Sequence, residues 1–256
     1  MDEWDDLDDL EEERPPWLSL PFERWPLWCH QRLIEQPDAL VEKARELLSS
    51  ERWEEEVVGL TLVTGRCVPE ILKTGVLFPK KRYTLLFTAH LERIDEVVGP
   101  FELPTLVEAE EVILAWQRVR IALVCTHLNA EQICRTYRPQ VSAVAREHFA
   151  DLLAVDPHGD GYTPLLRRIY ALIASRYYCP MRVVHEWFMD LVQGFDWSER
   201  DSRIYGQWCE ECRRSCYTYA ISDGAGNIAG GKGLKLEREG VEPLERFRSK
   251  TLNEQA

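Results

Sequence analysis

Apolar residues follow a helical period early in the chain and then give way to short continuous runs. From Asp38 onward they fall on one face of a predicted helix: Leu40, Val41, Ala44, Leu47 and Leu48. The runs "EVVGLTLV" and "RYTLLFTAH" favour buried strands, and "VPEILKTG" between them favours a short helix that ends at Gly75. Residues 15–104 are therefore predicted to form a small α+β unit.

The middle of the chain is predicted to be mainly helical. The breaker-rich stretch "GPFELPT" (residues 99–105) marks the candidate boundary. After it, Thr105 and Glu108 form a capping box that would start a long helix. Further helices are predicted over residues 130–137 and 140–154, from Thr163-Pro164, and over residues 180–194. Residues 105–195 are thus predicted to be a helical bundle.

The C-terminal part combines clustered cysteines with a predicted hairpin. "CYTYAI" and "IAGGKGLKL" flank the turn sequence "SDGAGN". Residues 196–240 are predicted to form a cysteine-knuckle and hairpin module, and residues 241–256 a flexible tail. The predicted fold class is therefore α+β and predominantly helical: a helical bundle with a small N-terminal α+β unit and a C-terminal cysteine-knuckle β-hairpin.

The first fourteen residues form a separate acidic segment. They hold nine acidic residues and one arginine, so they carry −8 of the formal charge of −13 and leave −5 for the rest of the chain. Such a segment is too charged to pack and is predicted to be a disordered tail. Trp4, Leu7 and Leu10 recur every three residues, which is typical of anchors that fold into a partner's groove. The alternative is a tail that only confers solubility.

Composition narrows the class of protein. The 256 residues are 45% hydrophobic, which is enough for a buried core, and no apolar run is long enough to span a membrane. The acidic start is unlike a signal peptide, so a cytoplasmic or nuclear protein with reduced cysteines is expected. The net negative charge disfavours nucleic acid as a partner.

Residues 185–216 contain the strongest metal-binding pattern. His185-Glu186 precedes Cys209-x-x-Cys212, as in zinc deaminases, but that family requires His-x-Glu and a proline before the first cysteine. A glutamate shifted by one residue is rotated about 100° on a helix, which removes the proton shuttle. A structural zinc site survives these objections, because Cys-x-x-Cys supplies two thiolates. Its predicted ligands are His185, Cys209, Cys212 and Cys216, with Cys179 as an alternative.

The acidic N-terminus and the stretch "RVVHEWFMDLVQGFDWSERDSRIYGQWCEECRRSCYTYAI" together resemble the foamy virus accessory protein Bet. That resemblance implies a non-enzymatic protein that sequesters host APOBEC-type cytidine deaminases, and it supplies no catalytic residues. The function predicted from the sequence is therefore that of a viral accessory protein acting through protein–protein binding. Two alternatives stay open at this point: a transcriptional regulator with an acidic N-terminal activation segment, and a zinc-dependent deaminase or hydrolase.

Overall fold

The computed structural model of the chain describes residues 32–91, 96–153, 161–194, 219–229 and 231–248. Its architecture is α+β and mainly helical. The helices are α1 (Pro37–Leu47), α2 (Trp53–Thr64), α3 (Ala109–Ala122), α4 (Ala130–Phe149), α5 (Tyr162–Tyr178) and α6 (His185–Val192), with a π-helical turn at Glu70–Thr74 and a 3-10 turn at Glu245–Phe247. The strands are β1 (Arg32–Ile34), β2 (Gly75–Lys81), β3 (Thr84–Leu91), β4 (Glu96–Pro104) and β5 (Tyr219–Ile221).

Helix α2 lies at the centre of the helical layer and packs against α1, α3, α4 and α5. It contains "EVVGLTLV", so the prediction of a strand there was wrong. An apolar run of this length cannot be assigned by periodicity alone, and a helix enclosed by other helices is apolar all round. Val57, Leu60 and Val63 are all completely buried. Three glutamates in the first turn favour the helix start through the helix dipole.

Strands β2, β3 and β4 form an antiparallel sheet in that order. The prediction of a strand at "RYTLLFTAH" is confirmed by β3, and Phe87 of β3 pairs with Phe101 of β4. The stretch "GPFELPT", chosen as a boundary, lies almost entirely in β4. Pro104 stands at the end of the ladder, opposite Thr84, and Pro100 lies where the register shifts between the pairs of Phe87 and Ala89. Prolines are tolerated in a strand at such places, so neither marks a linker.

Several helix boundaries differ from the prediction. Helix α3 begins after Glu108, and the Thr105 hydroxyl donates to the carbonyl of Val107, so the predicted capping box is wrong. The two helices predicted over residues 130–154 are one helix, α4, in spite of an internal proline. Pro139 is exposed, so the carbonyl that it leaves without a helical donor can reach water. The real capping box of α4 joins Asn129 and Gln132.

Short elements from both ends of the described chain meet in a second sheet. Strands β1 and β5 pair in parallel, with Leu33 opposite Ala220. Ser222 and Ile228 form an antiparallel bridge across the turn that follows β5. The predicted cysteine knuckle lies outside the described residues.

A single apolar core connects the helices to the three-stranded sheet. It includes Leu60 of α2, Leu85 of β3, Val119 of α3 and Ile169 of α5, each completely buried. The division at residue 104 into an N-terminal unit and a bundle stays a prediction. In the part of the chain that the structure describes, no helix is long and apolar enough to cross a membrane.

Candidate functional site

The turn after α2 brings a group of charged side chains into the protein interior. Gly65 ends the helix in the left-handed conformation, with φ of 68°, and its amide donates to the carbonyl of Thr61. A Cβ atom at Gly65 would lie 2.2 Å from Cδ1 of Tyr170. Glycine is thus required here both by the backbone angle and by the ring packed against it. We call residues 65–70 the arginine turn.

Arg66 is the largest completely buried side chain of the described residues, with 1% of its surface exposed. Its Nη2 donates to the carbonyl of Val192 at 2.9 Å, and its Nε donates to the carbonyl of Thr64. The guanidinium also lies 4.9 Å from the ring centre of Phe87 and 5.4 Å from that of Phe101. Arg66 therefore joins α2, the sheet and the end of α6.

Glu70 is the buried anion of the arginine turn. Its Oε1 lies 3.5 Å from Nη1 of Arg66, and its Oε2 accepts a hydrogen bond from the amide of Cys67 at 2.7 Å. Burial opposes its ionisation, but the charges of Arg66 and Arg167 and the Cys67 amide outweigh burial and hold the pKa of Glu70 below its usual value. Burial raises the pKa of the Cys67 thiol, so Cys67 is not an activated nucleophile.

Arg167 of α5 is the one arginine of this group that is not enclosed. Its Nε donates to the carbonyl of Gly65 at 2.9 Å, and the side chain is half-buried. Its two terminal nitrogens have no hydrogen-bond partner among the described residues. A guanidinium fixed at one nitrogen with its other donors available is suited to bind a phosphate or carboxylate.

A second group of cations lies at the turn between β2 and β3. Lys80, Lys81 and Arg82 are the only three consecutive basic residues in the sequence, and we call them the hairpin tip. Lys80 pairs with Glu102 and Glu245, and Lys81 pairs with Glu242. The hydrogen bond that the Lys80 ammonium donates to Glu245, together with the nearby carboxylates, raises the pKa of Lys80, so its ammonium group stays charged.

The sequence-predicted metal ligands are only partly within the described residues. His185 is the first residue of α6, and its Nδ1 lies 2.7 Å from Oγ of Ser175. Cys209, Cys212 and Cys216 lie outside the described residues, so the zinc site stays a prediction. Cys179 is completely buried, with Sγ 3.6 Å from the carbonyl oxygen of Pro180. No group of three metal-binding side chains occurs in the part of the chain that the structure covers. Trp4, Leu7 and Leu10 also lie outside the described residues.

The fold is that of solved protelomerase structures. An alanine variant of protelomerase TelA covalently complexed with substrate DNA matches with a TM-score of 0.61 and 17% identity, over 75% of this chain and 61% of that chain. A second TelA variant, complexed with a DNA hairpin product, matches with a TM-score of 0.63 and 17% identity, over 76% and 61%. Protelomerase TelK complexed with substrate DNA matches with a TM-score of 0.55 and 14% identity, over 79% and 40%.

Residues 32–206 match the model of the telomere resolvase ResT/TelK catalytic domain. Since this match covers more than half of the chain, the protein belongs to that family. It spans about three-fifths of the length of TelA. A search of curated protein sequences found no relative.

Family membership corrects the function predicted from the sequence. The resemblance to Bet was wrong, and with it the prediction of a non-enzymatic viral antagonist of host deaminases, because telomere resolvases are enzymes. The two alternatives, a transcriptional regulator and a zinc deaminase or hydrolase, do not fit this family either. The prediction that nucleic acid is an unlikely partner was also wrong, since the similar structures are complexes with DNA. The net charge of the whole chain was a poor guide, because residues 1–14 carry −8 of the −13.

The arginine turn was missed, although the sequence carries a signal for it. In "VTGRCVPEIL", Arg66 and Glu70 stand four residues apart inside an otherwise apolar run. Charged residues in such a run must be buried together, because burying either charge alone is costly. A charged pair within a predicted buried segment is a candidate functional site.

Proposed function

We propose that this chain is the catalytic core of an enzyme that cleaves and rejoins DNA strands. Arg167 carries this proposal, since its guanidinium is held by the backbone of the arginine turn and keeps its terminal donors for an anion. The scissile phosphate of DNA is the anion that the family implies. The covalent TelA–DNA complex supports a mechanism with a protein-linked intermediate.

In the proposed reaction a side-chain hydroxyl attacks the scissile phosphorus. The hydroxyl loses its proton as a bond forms between the side-chain oxygen and phosphorus, the bond from phosphorus to the sugar oxygen of the leaving strand breaks, and that oxygen takes up a proton, so no net proton is gained or lost. Attack by a strand hydroxyl on the protein–DNA bond reverses the exchange and releases the side chain. Arg167 would stabilise the negative charge on the phosphoryl oxygens as the bonds exchange.

We propose that the nucleophile is a tyrosine. Burial argues against several of the tyrosines that the structure describes. Burial raises the pKa values of Tyr170, Tyr177 and Tyr178, and their hydroxyls donate to Pro104, Asp38 and Thr105 respectively. Tyr162 and Tyr219 are also buried.

Tyr205 is our first choice among the remaining tyrosines. Tyr217 falls outside the residues matched by the family, whereas Tyr205 falls inside them. The Tyr137 ring packs edge-on against Trp53, and a hydrogen bond with Cys125 raises its pKa, which disfavours attack. The Tyr83 ring packs beneath the guanidinium of Arg82.

Trapping of a protein–DNA adduct tests the proposal. The protein is incubated with a pool of nicked duplexes that contain randomised inverted repeats, and adducts are resolved by denaturing electrophoresis. The wild-type protein and the matched controls Tyr217→Phe and Tyr83→Phe should form an adduct that resists detergent and is destroyed by protease. Tyr205→Phe should form none. An unchanged adduct in Tyr205→Phe would reject this nucleophile, and a wild-type protein that binds the pool without any adduct would reject cleavage.

We also propose that a zinc ion holds the predicted cysteine knuckle to the start of α6. The hydroxyl of Ser175 beside Nδ1 of His185 supports this, because metal-binding histidines commonly bond a second group through the other ring nitrogen. Metal analysis of the purified protein and of the variant Cys209→Ser/Cys212→Ser is the test. Equal metal content and equal thermal stability of the two proteins would reject the zinc ion.

A further inference from the structure

The segment that follows the last described glycine turn lies across the hairpin tip. We call residues 239–248 the C-terminal strap. In "GVEPLERF" apolar residues recur every third position, and Val241 and Leu244 are buried against the core. Phe247 packs against Trp187 and Phe188 of α6, with ring centres 5.2 and 5.8 Å apart. The strap is thus fixed by three apolar anchors.

A glutamate follows each of the first two anchors, and both glutamates reach lysines of the hairpin tip. The Glu242 carboxylate lies 2.6 Å from Nζ of Lys81, and the Glu245 carboxylate lies 2.9 Å from Nζ of Lys80. The two lysine side chains keep only 23% and 25% of their surface exposed. A Cβ atom at Gly240 would lie 3.1 Å from Cδ of Arg82, so the strap backbone also passes closely by the third cation.

From these contacts we propose that the C-terminal strap is an internal competitor of DNA, whose carboxylates occupy the places of two backbone phosphates on the hairpin tip. The inference rests on the proposed function, because it requires that the protein acts on DNA. The hairpin tip is then a phosphate-binding surface that opens when the strap is displaced.

Energetics make this exchange feasible. The Glu242 and Glu245 side chains are 53% and 57% exposed, and ion pairs at such positions contribute about 0–1 kcal/mol each. DNA offers a row of phosphates whose binding releases condensed counterions, a gain that an exposed carboxylate does not provide. Glu102 remains beside Lys80 after the strap leaves, whereas Lys81 has no second carboxylate among its described partners. Lys81 should therefore gain most from displacement.

Salt-dependent DNA binding tests the inference. Binding of the full chain to a fluorescently labelled duplex of unrelated sequence is measured by anisotropy over a range of salt concentrations. Glu242→Gln/Glu245→Gln should bind about tenfold more tightly than wild type near physiological salt, with a salt slope about 1.8 steeper, since each new phosphate contact adds ~0.9. Glu242→Gln alone should account for the larger part of the change.

Two further variants separate strap displacement from a general change in charge. Glu147→Gln/Glu237→Gln removes the same charge from exposed glutamates without a described partner, and it should leave the slope unchanged. Phe247→Ala loosens an anchor without changing the charge, and it should also tighten binding, whereas Leu234→Ala at an exposed position should not.

The possible failures are distinguishable. If the wild type binds DNA and the strap variants bind no more tightly than the control double variant, the strap does not compete with DNA, and the proposed function stands. If neither the wild type nor any variant binds DNA or forms an adduct, the proposed function falls and the inference falls with it.

Discussion

The arginine turn and the hairpin tip both pair cations with glutamates, yet the two regions differ in what encloses those pairs. At the arginine turn, Arg66 and Glu70 are buried and are also bonded to backbone groups from separate elements. At the hairpin tip, Lys81 and Glu242 are partly exposed, and the ion pair with Glu242 is the one that holds Lys81 among its described partners, while Glu242 also pairs with Arg248 of the strap. Breaking a buried ion pair strongly lowers the stability of the fold, because it leaves an uncompensated charge in the interior. An exposed pair can exchange its anion.

This difference assigns separate tasks to the two regions. The arginine turn is a rigid frame that positions Arg167, and the hairpin tip is a surface whose partners can change.

Arg66→Met should destabilise the protein most. The change leaves Glu70 buried without its nearest cation, and we expect a loss of about 3–5 kcal/mol in the free energy of unfolding, measured with urea. Arg52→Met is the matched control, because Arg52 is 51% exposed and its pair with Glu55 contributes about 0–1 kcal/mol. Equal losses in the two variants would show that the arginine turn is no more rigid than a surface pair.

Arg167→Ala should affect the reaction far more than the fold. Removing one stabilising group from a transition state typically lowers the rate about 10²–10³-fold. Loss of the hydrogen bond to Gly65 costs about 1 kcal/mol, and Glu70 loses one of its two cations but keeps Arg66. The rate of adduct formation and the unfolding free energy are measured together, with the exposed Arg135→Ala as control. A fall in rate that merely follows a loss of folded protein would contradict a role in phosphate binding.

Glu70→Gln should destabilise the protein at neutral pH by about 1–3 kcal/mol, since an ionic partner of Arg66 is replaced by an amide. The folded-state pKa of Glu70 lies below its unfolded value of about 4.3. Its contribution is therefore complete above the unfolded pKa and is lost as pH falls through the folded pKa. Urea unfolding at a series of pH values should show the difference between variant and wild type shrinking on acidification. A difference that is constant or grows would mean that the carboxylate is not the stabilising form.

Lys81→Gln should have the smallest effect on stability, about 0–1 kcal/mol, because an exposed ion pair is all that is lost. Unfolding in urea, with Lys43→Gln as comparison, measures it. The same change made in the Glu242→Gln/Glu245→Gln background should remove most of the gain in DNA binding. A loss of several kcal/mol in the free energy of unfolding would show that Lys81 stabilises the fold as the arginine turn does, and that its ion pair is not easily exchanged.

Local patterns in the sequence were sufficient for elements with one clear buried face. Helix α1 and strand β3 were both predicted correctly. The buried residues of α1 follow the helical period on one face, and the middle of β3 alternates buried with partly buried positions. Helix α2 and strand β4 were not predicted correctly. Helix α2 packs against four other helices and is apolar on every side, so its sequence shows no helical period. Strand β4 contains prolines, which predict a linker, and only its pairing with β3 identifies it as a strand.

The candidate site depended on contacts distant in sequence. Arg66 donates a hydrogen bond to the carbonyl of Val192, and Arg167 donates one to the carbonyl of Gly65. Lys81 forms an ion pair with Glu242. The partners in each contact are more than a hundred residues apart in sequence. Only the short-range pair of Arg66 and Glu70 was visible in the sequence.

The sequence alone determined that the chain has a large apolar core, a mainly helical α+β composition, a strongly acidic first segment and a charged pair inside an apolar run. Tertiary structure decided which cations are buried, which keep donors for a ligand, and which are covered by the C-terminal strap. The physical reason is that a charge acquires its role from its solvation and its neighbours. Those are set by packing between elements, which periodicity along the chain does not encode.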